Sequence, residues 1–407
     1  MKTIGIIAEY NPFHKGHLYQ IQKLRSDTQA DFVIAAMSGD FVQRGKPAVY
    51  DKYTRTRMAL DAGIDLVIEL PVCFATGSAQ DFASCGAALL DRLGVVDLLG
   101  FGSESGDCAL LSKAAELLLH EPEGFAFRLQ SLLKQGYSFP KARAAALASH
   151  PEVSAALSSP NNILGVEYIK ALKKRNSPIK PVTIQRSGQE YHDTKAVDKD
   201  TLASASAIRN AIRRGDLSLV QSQIPSSEHT GHKPIPLFSD DLTGLLNSRL
   251  LQLFYEDGPD SFGRYADMAP ELASRLKRSI LEFASFSGRV MQLKTRGYTY
   301  TRISRALVHL LLGITAEQTA CLKSLDYVCY ARILGFRRQA GPLLRQMKKR
   351  SDLPLITKTA DARRLLDPDR FSMLQTDFHA SHLYQSVVFA KSGQTMPNEY
   401  TQSVIVL

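Results

Sequence analysis

Short apolar runs alternate with helical patterns along the first half of the chain. Strands are predicted at residues 2–8, 31–37, 65–70 and 95–101, with helices at 17–25 and 52–62 between them. Strands that alternate with helices indicate a parallel sheet with crossover helices. Ligands of such sheets bind beyond the carboxyl ends of the strands. The loops after Ala8, Met37 and Phe101 are therefore the expected place for a site.

The chain beyond residue 101 is predicted to be largely helical. Residues 107–175 form Leu- and Ala-rich helices, with a break at 136–140, and a strand at 178–185 and a helix at 204–214 follow. The stretch 223–236, rich in Ser, Pro and His, is typical of a linker. The pattern beyond it is helical almost to the end. We expect an α/β catalytic domain over 1–225, a linker over 226–240 and a mostly α-helical domain over 241–407.

Composition narrows the class of protein. Of 407 residues, 44% are hydrophobic and 22% are charged, which is typical of a globular chain. No apolar run approaches the ~18 residues of a membrane span, and the first apolar run is too short for a signal peptide. The five cysteines include no CxxC pair, which favours a reducing compartment over a disulfide scaffold. A cytoplasmic protein is expected.

The charge is distributed unevenly. Residues 241–407 carry 23 Lys and Arg against 15 Asp and Glu, a net charge of +8, whereas residues 1–240 carry a net charge of only +2. This asymmetry favours a polyanionic partner for the C-terminal part, with nucleic acid the leading candidate. A basic surface that is merely solvated is the alternative.

The strongest chemical signal follows the first strand and reads Asn-Pro-Phe-His-Lys-Gly-His at 11–17. His14 and His17 are three residues apart where a helix should begin, so they can share one face. Gly16 between them permits close approach of a ligand, and a helix N-terminus attracts anions. The pattern predicts phosphate binding; two surface histidines or a metal pair are the alternatives.

A second signal, Ser-Ala-Ser-Ala-Ile-Arg at 204–209, begins a predicted helix. Hydroxyls at the helix start and Arg209 one turn later suit phosphate contact, although most such serines only cap a helix. Neither GxGxxG after the first strand nor GxxxxGK[ST] occurs, which argues against a dehydrogenase and a P-loop enzyme.

Together these motifs resemble the HxGH nucleotidyltransferase superfamily, which implies a Rossmann-like core. Further segments are similar to the bacterial tRNA(Met) cytidine acetate ligase family over essentially the whole chain: 38–45, 65–71, 101–104 and 161–165. That resemblance implies that ATP and acetate form acetyl-adenylate. The acetyl group would then pass to N4 of the wobble cytidine of elongator tRNA(Met), giving N4-acetylcytidine. Neither a membrane nor DNA is an expected partner.

The resemblance also implies site residues. His14, His17 and Arg209 would be catalytic. ATP would be held by Ile7, Ala8, Glu9, Tyr10, Asn11, Pro12, Phe13, His14, Lys15, Gly16, His17, Leu18, Tyr19, Gln20, Gly102, Asn161 or Asn162, Arg186, Ser204 and Ser206. No resident metal site is expected; Mg²⁺ is left open as a companion of ATP, with Asp40 a candidate contact.

The predicted tRNA surface interleaves cations with aromatic residues, as phosphate contact and base stacking require. Its members are Lys294, Arg296, Tyr298, Tyr300, Arg302 and Arg305, with a second basic run that begins at Arg337 and Arg338. Lys46, Tyr53, Arg55 and Arg57 are a candidate basic rim beside the active site. For each of the two basic runs, a solvated helix face is the alternative.

Two other functions are weighed against the ligase. An adenylyltransferase for a small-molecule cofactor would explain the two motifs but not the long basic C-terminal part. A non-catalytic RNA-binding protein on a synthetase-like core would explain the charge. It would not explain why His14, His17 and Arg209 are intact.

Overall fold

The structure, a computed structural model, describes residues 1–186, 202–225 and 234–407. Most of the predicted linker, residues 226–233, lies outside the described residues. The strands of the described chain are β1 (Thr3–Ala8), β2 (Phe32–Ser38), β3 (Phe41–Val42), β4 (Lys46–Pro47), β5 (Leu66–Leu70), β6 (Leu98–Ser103), β7 (Lys180–Gln185), β8 (Ala331–Phe336), β9 (Leu355–Ile356) and β10 (Ile405–Val406).

The main sheet has the strand order β10-β8-β5-β2-β1-β6-β7, and β9 pairs with β8. The five strands from β5 to β7 in this order are mutually parallel. The chain runs from β1 through β2 to β5 on one side, and then returns to the other side of β1 with β6. The carboxyl ends of β1 and β6 therefore form the switch point at which such sheets bind ligands. The predicted α/β fold with a parallel sheet is confirmed.

Helices cover both faces of the sheet. The helices of the N-terminal half are α1 (Lys15–Thr28), α2 (Lys52–Asp61), α3 (Val72–Ala75), α4 (Ala79–Arg92), α5 (Cys108–Leu119), α6 (Phe125–Lys134), α7 (Phe139–Ala146), α8 (Pro151–Ala156), α9 (Pro160–Lys174), α10 (Ala205–Arg214) and α11 (Leu217–Gln223). Apolar residues of α1 and α2 pack on one face, and those of α4 and α9 join the larger core on the other.

The C-terminal region adds α12 (Thr243–Glu256), α13 (Pro270–Ser279), α14 (Phe286–Leu293), α15 (Tyr300–Leu312), α16 (Ala316–Ser324), α17 (Gly341–Arg350), α18 (Ala362–Leu365) and α19 (Pro368–Ser392). Short 3-10 helices occur at Ser239–Leu242, Pro259–Arg264, Arg338–Ala340 and Thr359–Asp361. In the described part of the chain, no helix is both long and apolar enough to cross a membrane.

The sequence pattern predicted helices in the C-terminal region but not the strands with which this region extends the sheet. Strand β8 pairs antiparallel with β5, and β9 and β10 pair with β8. Five of the six residues of β8 are buried, and a short apolar run of this kind cannot be assigned to helix or strand by periodicity. The partner strand, far away in sequence, decides the conformation.

A buried ionic cluster lies at the junction of β5 and β8. Glu69 accepts from Lys52 at 2.7 Å and from Arg332 at 3.0 Å, and Glu399 lies 3.0 Å from the Lys52 ammonium. The hydroxyl of Tyr53 donates to Glu399. All four charged side chains are at most 3% exposed. The positive and negative charges of this cluster are thus neutralised within the protein.

Candidate active site

A cleft of about 630 Å³ lies at the switch point. Its floor is formed by the loop after β1 and by Gly102 of β6, and its walls by the start of α9, the start of α10 and the β3–β4 hairpin. Segments separated by more than 200 residues thus meet where the strand pattern predicted a site.

The first histidine of the motif caps helix α1. The Nδ1 atom of His14 accepts from the Gly16 amide at 3.0 Å, and Nδ1 of His17 accepts from the His14 amide at 3.3 Å. An imidazole nitrogen that accepts from an amide carries no proton, so the proton of each ring is on Nε2. A Cβ atom on Gly16 would lie 2.8 Å from Cε1 of His14. Glycine is therefore required to leave room for the capping ring.

Both rings are neutral at physiological pH. Burial, together with the nearby Arg186 and Arg209, lowers the pKa of His14 to about 3. Burial and His14 lower the pKa of His17 well below its ordinary value. His14 is 3% exposed, and its Nε2 has no hydrogen-bond partner among the described residues. A buried N–H without a partner is costly, and one that lines a cleft is suited to a ligand oxygen.

Arg209 lies on α10 and faces the same loop. Its guanidinium donates to the Asn11 carbonyl at 2.7 Å and to Oγ of Ser206 at 2.8 Å. Burial lowers the pKa of Arg209 to about 10, so the side chain remains charged at pH 7. Oγ of Ser204 caps α10 by accepting from the Ala207 amide. The second motif therefore brings a fixed cation and a helix N-terminus to the cleft.

Glu104 orders the opposite wall. Its carboxylate accepts from the backbone amides of Asn161 and Asn162 at the start of α9, and from the Asn161 side chain at 2.7 Å. Asn161 lines the cleft. Asn162 is 3% exposed, and its side chain accepts from the Ser105 amide instead. The structure thus separates two residues that the sequence left equivalent.

Arg186 and Gly102 lie side by side at the cleft floor. A Cβ atom on Gly102 would lie 3.1 Å from Cγ of Arg186, so a larger residue there would displace that arginine. Of the predicted ATP residues between 7 and 20, eight line the cleft and six do not: the eight are Ile7, Ala8, Glu9, Tyr10, Asn11, His14, His17 and Gln20. Pro12 and Phe13 are buried, Leu18 is half-buried, and Lys15 and Tyr19 are exposed. Tyr19 and Gly16 border a smaller adjoining pocket.

Lys46, predicted for the basic rim beside the active site, lines the cleft, whereas Arg44 and Arg213 were not predicted as site residues. Arg44 and Lys46 reach it from the β3–β4 hairpin, and Arg213 from α10. A hairpin with strands of two residues leaves no periodic signal, although Arg44 lies within the segment 38–45 that resembles the family. Arg213 lies one turn beyond Arg209, and this spacing could have indicated it.

Two residues of the predicted rim are buried instead. Arg55 is 0% exposed and donates to the carbonyls of Glu9 and Ser38, so it joins the loops after β1 and β2. Tyr53 belongs to the ionic cluster. Asp40, the candidate Mg²⁺ contact, is 4% exposed and accepts from the Lys52 amide at 2.8 Å. Burial raises the pKa of Asp40 to about 6. Each of these three polar side chains is thus held by partners within the protein.

The predicted tRNA residues fall in different places. Lys294 and Arg296 are exposed, and Arg302 stacks on the Tyr298 ring at 5.0 Å. Arg305 is 9% exposed and pairs with Asp267 at 2.8 Å, so its charge is directed inward. Arg337 and Arg338 follow β8, which runs antiparallel to β5. They therefore lie at the sheet edge opposite the cleft.

Comparison with known proteins agrees with this geometry. The family model described as HIGH Nucleotidyl Transferase matches residues 1–399. The fold and the site thus define a nucleotidyl transferase of the HIGH class, in which two histidines flank a glycine at the start of a helix.

Two curated relatives are named tRNA(Met) cytidine acetate ligase. The one from Acetivibrio thermocellus is 36% identical over 425 residues, with all of both chains covered. The one from Thermoanaerobacter sp. (strain X514) is 40% identical over 397 residues, covering 94% of this chain and 95% of the relative. This chain belongs to the tRNA(Met) cytidine acetate ligase family of HIGH nucleotidyl transferases.

Solved structures are similar over the full length as well. The apo crystal structure of Thermotoga maritima TmcAL superimposes with a TM-score of 0.91 at 32% identity and covers 100% of both chains. A second form of that protein, bound with alpha-thio ATP, gives a TM-score of 0.89 at 31% identity. The family and the fold predicted from the sequence are thus confirmed.

Proposed function

We propose that this protein is an ATP-dependent ligase that acetylates elongator tRNA(Met). It activates acetate as acetyl-adenylate and transfers the acetyl group to N4 of the wobble cytidine, giving N4-acetylcytidine. The observation that carries the proposal is the pair of neutral histidines beside Arg209 at the switch point of the sheet. Family membership supplies acetate and the tRNA as the substrates.

The first step requires mainly positioning and charge stabilisation. An acetate oxygen attacks the α-phosphorus of ATP, the bond from that phosphorus to the bridging oxygen breaks, and pyrophosphate leaves with the electron pair. The Nε2–H groups of His14 and His17 donate to phosphate oxygens whose charge grows in the transition state. Arg209 and the hydroxyls of Ser204 and Ser206 hold the triphosphate. Neutral histidines suit this role because they donate hydrogen bonds to the phosphate without changing their own protonation state.

The remaining cleft residues would hold the nucleoside part of ATP. Residues of the segment 7–20 surround it, Gly102 leaves room at the cleft floor, and Arg186 adds a cation. Of the two asparagines, we assign Asn161 to ATP because it lines the cleft, whereas Asn162 supports the wall. The described carboxylates of the cleft, Glu9 and Glu104, both accept from backbone amides. We therefore expect any Mg²⁺ to arrive on the ATP phosphates.

The tRNA would bind across the start of α15. Lys294, Arg296 and Arg302 supply cations there, and Tyr298 and Tyr300 supply rings on which unpaired bases can stack. Arg305 is omitted from this surface because it pairs with Asp267. The run that begins at Arg337 and Arg338 stays a predicted second contact at the far edge of the sheet.

The test follows isotopically labelled acetate with ATP, in the presence and absence of bulk bacterial tRNA. We expect acetate-dependent formation of AMP and acid-stable label in RNA, recovered as N4-acetylcytidine after nuclease digestion. In His14→Ala, adenylate formation should fall by about 10²- to 10³-fold, as for loss of one oxyanion donor, while tRNA binding persists. His120→Ala, on an exposed side chain, is the matched control.

Two outcomes would contradict the proposal. AMP without label in RNA would preserve the adenylation chemistry and reject tRNA as the acceptor. No acetate-dependent turnover would favour a cofactor adenylyltransferase, and phosphorylated small molecules would then be screened.

A further inference from the structure

The β3–β4 hairpin connects the cleft with the proposed tRNA surface. Oγ of Ser304, on α15, donates to the Gly45 carbonyl at 2.7 Å. Gly45 has a φ of +66°, and a Cβ atom there would lie 2.6 Å from the Ser304 carbonyl carbon. The turn of the hairpin is thus seated directly on the helix. Residues that flank it are held between the catalytic cleft and the first turn of α15.

Lys46 occupies this boundary. It lines the cleft, and its ammonium lies 5.5 Å from the centroid of the Tyr300 ring. Within the described part of the chain, no acidic side chain forms an ion pair with it. Burial, followed by Arg209, Arg44 and Arg213, lowers the pKa of Lys46. The lysine is therefore a partly buried cation surrounded by like charges, an arrangement that an anion would relieve.

The charge balance of the cleft indicates an anion other than the nucleotide. With Arg44 left aside, its described lining carries four basic side chains and two carboxylates. Once pyrophosphate has left, acetyl-adenylate keeps only a single negative charge. A positive excess then remains at the stage when the RNA must enter. A backbone phosphate of the RNA would supply the missing negative charge.

We propose that Lys46, assisted by Arg213, binds a backbone phosphate next to the wobble nucleotide and so positions the cytidine amine at the adenylate. The inference rests on the proposed function and adds to it a route for the RNA. Tyr300 belongs to the proposed tRNA surface, and Arg213 lies at the cleft mouth with its guanidinium 4.6 Å from the Phe238 ring. The RNA would pass from Arg296 and Arg302 over Tyr300 into the cleft.

The test compares Lys46→Met with Lys180→Met. Lys180 is exposed at the amino end of β7, away from the cleft, so its substitution removes the same charge from a distant site. Acetate-dependent exchange between ATP and pyrophosphate, measured without RNA, reports the first step. Acetyl transfer at several salt concentrations reports the second. For Lys46→Met, we expect the KM for tRNA to rise about tenfold or more, as for loss of a charge-assisted contact. The exchange rate should fall by a much smaller factor.

Two further readouts separate positioning from a structural role. The slope of log KM for tRNA against log salt should decrease by about one in Lys46→Met, because one phosphate contact is lost. Lys46→Arg keeps the charge and should restore most of the transfer. Lys180→Met should match the wild type in every assay.

Three results would overturn the inference or its basis. If Lys46→Met raises the KM for ATP and leaves the KM for tRNA unchanged, Lys46 binds the triphosphate and the proposal is wrong. If it behaves like Lys180→Met, Lys46 has no role in positioning. If the wild type forms no acetylated tRNA, the proposed function itself fails, and that result does not depend on any variant.

Discussion

The candidate active-site cleft and the ionic cluster at the β5–β8 junction both contain several titratable groups. The two regions differ in how far their positive and negative charges are balanced. In the cluster, Lys52 and Arg332 are matched by Glu69 and Glu399 at hydrogen-bond distances. Among the described residues of the cleft, basic side chains outnumber carboxylates, and Nε2 of His14 has no partner.

The difference shows how burial can serve either stability or binding. A buried charge is tolerated where the protein supplies its partner, and the cluster thereby joins the C-terminal region to the core. In the cleft, the two histidines are kept neutral, and Nε2 of His14 is available to donate to a ligand oxygen. Substitutions in the cluster should therefore change stability, and those in the cleft should change activity.

The largest expected effect is on stability, from Glu69→Gln. The substitution keeps the shape of the side chain but leaves Lys52 and Arg332 facing only Glu399. Loss of one partner of a buried pair costs about 3–5 kcal/mol. Denaturant unfolding should show this loss, and Glu152→Gln, at the exposed pair with Lys113, should show little change. Equal stability of the two variants would mean that the cluster contributes nothing to the joining of the two regions.

Gly16→Ala should instead reduce activity with little effect on stability. The added methyl group would lie 2.8 Å from Cε1 of His14 and displace the ring. A misplacement of this kind should lower acetate-dependent adenylate formation by roughly 10- to 100-fold. Gly244→Ala is the matched control, because it also lies in a helix and its Cβ atom would meet nothing within 4 Å. Wild-type activity in Gly16→Ala would refute the need for a fixed ring.

The smallest expected effect is a change in pH dependence. Because the pKa of His14 is lowered to about 3 in the folded protein, only the unfolded chain takes up this proton between about pH 6.5 and 3. The stabilising contribution of the neutral ring is complete above pH 6.5 and is lost as the pH falls. It contributes a slope of about 1.4 kcal/mol per pH unit.

The non-titrating variant His14→Asn, which keeps a capping oxygen, removes that contribution. Denaturation series between pH 6.5 and 4.5 should therefore show a shallower loss of stability for His14→Asn than for the wild type. His120→Asn serves as the control on an exposed histidine. Identical slopes for His14→Asn and the wild type would show that the ring is not kept neutral by the fold.

Much of the core could be predicted from sequence because its signals are local. The strand that ends at Ala8, the His14–Gly16–His17 motif and the helix that carries Arg209 each lie within one short segment. The carboxyl ends of parallel strands meet at one edge, so the position of the cleft followed as well. Strand β8 could not be predicted, because its conformation depends on pairing with β5, more than 250 residues earlier.

By itself, the sequence determined the parallel α/β core, the HxGH motif and the family to which the chain belongs. Only the tertiary structure decided which polar residues face the cleft. It directed Asn161 and Lys46 toward the cleft and enclosed Asn162, Arg55 and Arg305 in contacts with loops or with Asp267. Residue type specifies what a side chain can bind, but its available partners depend on segments that meet only when the chain folds.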